Sequence, residues 1–294
     1  MLRPRKLKPG DKIRFVSPAS TPDREQVLRR AAILERWGFS VDFGPHAFSQ
    51  RGFLAGTDEE RLADLNAALR DPAVRAVFTT RGGRGSYRIA DGMDFAAITA
   101  DPKPLVGFSD ITILQLMLWK QCRLAGIHGT VLEESGEAWQ NNEALQMALS
   151  QSGWLEIEAR PTESTAMLST SGRASGPLIG GNLDMIATAA GWALPNLYSA
   201  ILLLEGVDMR LGQVDRQLTM LQKAGHLEGI AGIAIGQFTK CREGVLELLH
   251  HHLCNLDVPV LGGLPLGHGS RPTIAPVGME AQLDVELGRL SVAF

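Results

Sequence analysis

Pro104-Leu-Val-Gly-Phe-Ser-Asp-Ile-Thr-Ile-Leu-Gln115 reads as a strand that runs straight into a helix. Leu105 to Gly107 is an apolar run, and Ile111, Leu114 and Leu118 recur at helical spacing. Ser109 stands at the junction. Two readings of it are open. A serine at a strand-to-helix turn can be a nucleophile raised at the end of a sheet, with helix amides and the helix dipole favouring negative charge beside it. Ser109 or Asp110 can equally be an N-cap that satisfies the first free amides of the helix.

Upstream, the same strand-then-helix alternation repeats. Lys12–Ser17 is expected to be a strand, Asp23–Trp37 a helix with Val27, Leu28, Ala31 and Leu34 on one face, and Ser40–Phe43 a strand. Asp58–Leu69 follows as a helix and Val74–Thr80 as a strand. A short helix then precedes Leu105. This order predicts an α/β fold with a mostly parallel sheet and helices on both faces. In such sheets the ligand crevice lies at the carboxyl ends of the strands. Both Ser109 and the loop Arg81-Gly-Gly-Arg-Gly-Ser86 fall at such ends.

Beyond residue 150 the composition changes. Pro161-Thr-Glu-Ser-Thr and Ser169-Thr-Ser-Gly-Arg-Ala-Ser-Gly176 read as loop, so we expect a first domain over 1–160, a linker over 161–175 and a smaller, strand-rich α/β domain over 176–294. Its expected elements are a strand over Ala200–Leu204 ending at Glu205, a helix over Val214–Lys223, a strand over Ala231–Gly236 and a helix over Val245–Leu253. Short strands broken by Gly and Pro follow Pro259. Trp119 and Trp192 sit in apolar patterns and are expected in the core.

The overall balance narrows the function classes. The 294 residues carry a formal net charge of −3, so no general basic field attracts nucleic acid or an anionic membrane. No apolar run reaches the roughly 20 residues of a membrane span. The basic start Met1–Lys8 is followed by Pro9-Gly-Asp-Lys12 rather than an apolar segment, which argues against a signal peptide. Cys122, Cys241 and Cys254 have no paired spacing. A cytoplasmic location is the expectation.

Three constellations bear on chemistry. Glu205 ends a fully apolar strand, and a buried carboxylate there needs a cationic or donor partner. Arg210 and Arg216 are the near candidates for a purely structural ion pair. His268 lies in Leu264-Pro-Leu-Gly-His-Gly269, where flanking glycines let the backbone approach a ligand, and a neutral imidazole there can act as general base. Ser109, Glu205 and His268 together supply nucleophile, orienter and base, one of several chain orders for such a set. The loop Arg81–Ser86 lacks both the full dinucleotide fingerprint and the lysine of a P-loop, so a nucleotide cofactor is not expected. The loop can instead offer an amide to an oxyanion, with Arg81 pairing a substrate carboxylate. His250 and Cys254 have a spacing that can share a metal, but no second ligand pair accompanies them, so no metal is expected.

Phe15-Val-Ser-Pro-Ala19, Arg81-Gly-Gly-Arg-Gly-Ser86, Val106-Gly-Phe-Ser-Asp-Ile-Thr112, Gly180-Gly-Asn-Leu183, Leu204-Glu205, Leu264-Pro-Leu-Gly-His-Gly269 and Pro276-Val-Gly278 occur in order over nearly the whole chain. With these segments the sequence resembles the LD-carboxypeptidases, serine peptidases that include muramoyltetrapeptide carboxypeptidase. The resemblance implies a flavodoxin-like N-terminal domain, a smaller swivelling C-terminal domain and a homodimer. It puts the nucleophile on Ser109, the glutamate on Glu205 and the histidine on His268, with oxyanion amides from Asp110 and Gly83. It implies release of the terminal D-alanine from a murein peptide; our own expectation is that Arg81 holds the terminal carboxylate and Asn182 lines the pocket. Arg84 stands where the family usually has tyrosine, which bears on substrate identity. The microcin C self-immunity peptidases, which cleave aminoacyl or peptidyl adenylates, share the pattern and form the alternative. The chain has no evident added loop between Glu205 and His268 carrying the tryptophan associated with that group. A non-catalytic nucleotide- or peptide-binding module on the same fold is the remaining reading.

Overall fold

The computed structural model describes residues 1–129 and 139–294, and of 139–141 the backbone alone. The chain forms two compact units, Met1–Ser152 and Gly153–Phe294.

The first unit runs β1 (Lys12–Val16), α1 (Arg24–Arg36), β2 (Ser40–Phe43), α2 (Asp58–Arg70), β3 (Val74–Thr79), α3 (Phe95–Ala100), β4 (Leu105–Gly107), α4 (Thr112–Cys122), β5 (Gly126–His128) and α5 (Trp139–Ser150). Among the described residues these five strands pair with one another in parallel, in the order β2-β1-β3-β4-β5. That order is flavodoxin-like, and its switch point lies between β1 and β3. The loops leaving these two strands are Ser17–Pro22 and the glycine loop that starts at Arg81.

Local chemistry accounts for the helices. The Asp23 side chain accepts from the Gln26 amide at 2.9 Å and starts α1, whose buried stripe is Val27, Ala31 and Leu34. Leu28, expected on that stripe, is 41% exposed. One residue past Val27 turns it about 100° away. At α2, Thr57 and Glu60 form a reciprocal capping box. All of β3 is buried, as both faces of a central parallel strand should be. Between the glycine loop and β4, two 3-10 turns over Ser86–Arg88 and Ala90–Gly92 precede α3.

The second unit holds β6 (Trp154–Glu158), β7 (Arg173–Asn182), α6 (Leu183–Ala189), β8 (Ile201–Val207), α7 (Leu211–Lys223), β9 (Gly232–Thr239), α8 (Val245–Leu253), β10 (Val260–Leu261), β11 (Ala275–Val277), β12 (Glu280–Asp284) and β13 (Arg289–Ala293). Its seven-stranded sheet has the order β10-β9-β8-β7-β12-β13-β6. The β10-β9-β8-β7 half is parallel, and the β7-β12-β13-β6 half is antiparallel.

Three expectations need correction. Residues 161–175 belong to the second unit rather than to a free linker. They hold a 3-10 turn over Ser164–Leu168 and the start of β7. The polar composition misleads there because Thr165 is buried and its hydroxyl donates to the Gly236 carbonyl at 2.9 Å. Trp192 is 36% exposed, and its indole donates to the Thr188 carbonyl at 2.8 Å at the open end of α6, whereas Trp119 is buried as expected. Gly236 does not end β9, which continues to Thr239.

Candidate active site

In the first unit the candidate residues are built on β4 and its exit. Gly107 ends β4, and a 3-10 turn over Ser109–Ile111 leads into α4. Ser109 has φ +64°, a left-handed conformation that costs a side-chain-bearing residue roughly 1–2 kcal/mol. Neither the turn nor α4 has a side-chain cap: their N-caps are Phe108 and Ile111. The capping reading of Ser109 and Asp110 therefore does not hold. The Asp110 carboxylate turns away from the helix and accepts from the Ser86 amide at 2.8 Å, while the Ser86 hydroxyl donates to the Asp110 carbonyl at 2.6 Å. Burial pushes the Asp110 carboxyl above its usual range, against the hydrogen bonds from Ser86.

The glycine loop lies against this elbow. A Cβ on Gly82 would stand 2.9 Å from the Ser109 Cβ and from the Phe108 carbonyl, and 3.3 Å from the Asp110 amide. Only a glycine permits that approach. Gly83 has φ +107°, is exposed, and its amide donates no hydrogen bond among the described residues. Ser20, on the loop after β1, braces the turn: its hydroxyl accepts from the Arg84 amide at 3.0 Å, and its amide donates to the Gly82 carbonyl at 3.4 Å. Beneath the loop the buried guanidinium of Arg61 donates to the carbonyls of Gly85, at 3.0 Å, and of Pro18. Sequence reasoning passed over Arg61 because it looks like one more charge on a polar helix face. Its exposed neighbours differ: Arg81 donates to the Thr21 carbonyl at 3.3 Å, and Arg84 is exposed.

In the second unit the candidate residues are built on β8. Glu205 has no solvent exposure, and its Oε2 lies 2.7 Å from Nδ1 of His268. The expected alternatives, Arg210 and Arg216, are not its partners among the described ion pairs. A carboxylate only accepts, so Nδ1 carries the proton and the basic lone pair is on Nε2. The other oxygen, Oε1, has no hydrogen-bond donor among the described residues, which leaves the imidazole as this carboxylate's main compensation. Gly267, at φ +125°, makes the pairing possible: a Cβ there would stand 2.9 Å from Oε2 of Glu205. Asn182 lies level with Glu205 on the neighbouring strand, and its side-chain Oδ1 accepts from the Met185 amide at 3.4 Å as the cap of α6. It is 6% exposed. Gln237 on β9, unremarked in the sequence because Gly236 reads as a strand end, reaches the loop that bears His268. In α8, the His252 ring lies between Asp215, at 2.9 Å, and Gln222, at 3.1 Å, and packs the helix against α7.

The first unit thus carries a strained serine beside the Gly83 amide, and the second carries a histidine oriented by a buried carboxylate. Residues 13–129 match the LD-carboxypeptidase N-terminal domain, and residues 175–283 match the LD-carboxypeptidase C-terminal domain. The chain belongs to the LD-carboxypeptidase family, a family of peptide hydrolases. It is 34% identical over 292 residues to the "Probable murein peptide carboxypeptidase" of Bacillus subtilis, covering 96% of this chain and 91% of that one. It is 32% identical over 290 residues to the murein tetrapeptide carboxypeptidase of Pseudomonas aeruginosa, covering 93% of each. Among solved structures, an MccF-like protein from Bacillus anthracis str. Ames superposes with a TM-score of 0.89 at 26% identity, covering 99% of both chains.

Proposed function

We propose that the protein is a serine LD-carboxypeptidase that releases the terminal D-alanine from a murein tetrapeptide. The observation that carries this reading is the His268–Glu205 pair, whose geometry leaves Nε2 as a proton acceptor. Family membership and the murein peptide relatives supply the substrate class. In this reading His268 takes the proton from the Ser109 hydroxyl, and Ser109 attacks the scissile carbonyl. Glu205 holds the imidazole in its tautomer and stabilises the imidazolium. The amides of Gly83 and Asp110 receive the oxyanion, a contribution of about 2.7–4 kcal/mol per donor in comparable sites. His268 then protonates the departing D-alanine, and water resolves the acyl-enzyme. Arg81 pairs with the terminal carboxylate of the substrate, and Asn182 borders the pocket. The reaction belongs to cytoplasmic recycling of cell-wall peptides, and the working form is a homodimer.

The likeness to an MccF-like protein favours one second reading, since MccF is a microcin C7 self immunity protein. In that reading the same residues cleave an aminoacyl or peptidyl adenylate. Measuring D-alanine release from murein tetrapeptide alongside cleavage of an aminoacyl-sulfamoyl-adenosine ranks the two. Faster turnover of the nucleotide analogue reverses the order. Near-normal release by a folded Ser109→Ala protein removes the nucleophile, and absence of Ser109 labelling by a fluorophosphonate in the wild type returns the chain to a binding module.

A further inference from the structure

The loop bearing His268 is held on one side by Glu205 and on the other by a second buried polar side chain, Gln237. Gln237 is 1% exposed, and its carboxamide is fully committed. Its Oε1 accepts from the Gly269 amide at 2.8 Å. Its Nε2 donates to the Ser270 carbonyl at 3.1 Å and to Oε1 of Glu163 at 2.7 Å. The backbone partners fix the orientation of the amide, because an N–H can only donate and a carbonyl can only accept.

Two features of the strands bring this about. The β8–β9 register advances two residues on β8, from Leu204 to Gly206, while β9 advances three, from Ile235 to Phe238. The extra residue on β9 is a bulge opposite Glu205, and bulges re-aim side chains next to active sites. Gly236 lets the chain pass close to the Leu266 carbonyl, which accepts from the Gln237 amide at 2.7 Å. The glycines around His268 then divide the work. A Cβ on Gly267 would press on Glu205, and a Cβ on Gly269 would overlap the Gln237 carboxamide.

We propose that Gln237 is a positioning residue for His268: Glu205 sets the tautomer of the ring, and Gln237, itself oriented by Glu163, sets the backbone from which the ring projects. The proposal rests on His268 being the base of the hydrolase read above. Burying a primary amide is costly unless its hydrogen bonds are made. Here they all run to the histidine loop and to Glu163, so the group serves that loop rather than filling space. Displacing a catalytic group by about 1 Å can cost up to about 100-fold in rate. That is the size of effect expected.

The test uses the full chain with Gln237→Glu, which preserves volume but when ionised has no donor for the Ser270 carbonyl or for Glu163, and Gln237→Ala. Three quantities are read: the rate at which a fluorophosphonate labels Ser109, kcat and KM on murein tetrapeptide, and the 15N shifts of the His268 ring. Both variants are expected to lose between about 10- and 100-fold in labelling rate and kcat. KM changes little, the pH profile of labelling is displaced, and the Nδ1–H signal of His268 loses its protection. Labelling and pH profiles equal to wild type in the folded fraction would overturn the proposal, since a merely structural tie changes only how much protein folds. Should both variants fail to fold, Gly269→Ala gives the same reading from the other side. It is expected to slow labelling in the wild-type background, and an equal labelling rate overturns the proposal. A wild type that neither labels nor releases D-alanine sinks the functional reading. The 15N arm then still decides whether Gln237 holds the histidine.

Discussion

Nδ1 of His268 lies 2.7 Å from Oε2 of Glu205, a carboxylate with no solvent exposure on the apolar strand β8. The pair orients the imidazole and at the same time compensates the buried charge. Glu205→Gln preserves the volume but offers the ring either an amide donor or a weaker acceptor, so the tautomer is no longer enforced. D-alanine release is expected to fall by roughly 10⁴-fold, the scale seen when the acid of such a set becomes an amide. A loss below tenfold in kcat would argue against the assigned role.

The same pair predicts a stability asymmetry. His268→Ala leaves the Glu205 carboxylate buried without its partner and is expected to cost about 3–5 kcal/mol. Adding Glu205→Gln to that variant removes the charge and returns much of the loss. Urea midpoints of the single and double variants measure it, and strict additivity contradicts the coupling.

Ser109 occupies φ +64°, where glycine is at ease and serine is not. Ser109→Ala keeps the strain, whereas Ser109→Gly releases it. Both variants are expected to be inactive, with the glycine variant the more stable by about 1 kcal/mol after the entropy of the unfolded chain is counted. Thermal or urea unfolding of the two proteins decides it.

Gly82 touches the elbow at 2.9 Å from both the Ser109 Cβ and the Phe108 carbonyl once a Cβ is added. Gly82→Ala therefore has to push either the serine or the loop aside. We expect a loss of up to about 100-fold in kcat, with a destabilisation of about 1–3 kcal/mol. Unchanged kcat would mean that the loop does not set the serine's geometry.

Asp110 supplies the pH dependence. Burial raises its carboxyl pKa in the folded protein, so the folded state holds that proton more tightly than the unfolded chain. The cost to stability appears as pH rises from the unfolded value, about 3.9, through the raised folded value, and is absent below the window. Asp110→Asn keeps an acceptor for the Ser86 amide without the charge. It is expected to narrow or reverse its stability difference from wild type between acid and neutral pH, in its own favour at neutral pH. Asp110→Ala removes the acceptor from a buried amide and is expected to cost about 1–3 kcal/mol at either pH. Urea midpoints at pH 7 and below pH 4 distinguish the two.

The strand and helix alternation, the two glycine-flanked loops and the place of Ser109 just past β4 are readable from residue order, although β8 runs on past Glu205 to Val207. These features are written in local periodicity and in the special conformations that glycine permits, which involve only near neighbours in the chain. Which side chains meet was decided by the tertiary structure. Glu205 and His268 are 63 residues apart, and Arg210 and Arg216 were nearer in sequence but not in space. Asp110 looked like a cap and instead holds Ser86 across 24 residues. Gly236 looked like a strand end and instead admits the Leu266 carbonyl, which carries Gln237 to the histidine loop. Residues 161–175 looked like linker and instead pack Thr165 onto β9. In each case a polar group chose a distant backbone partner because burial made leaving it unpaired costly. Composition and spacing carry no coordinate for that choice.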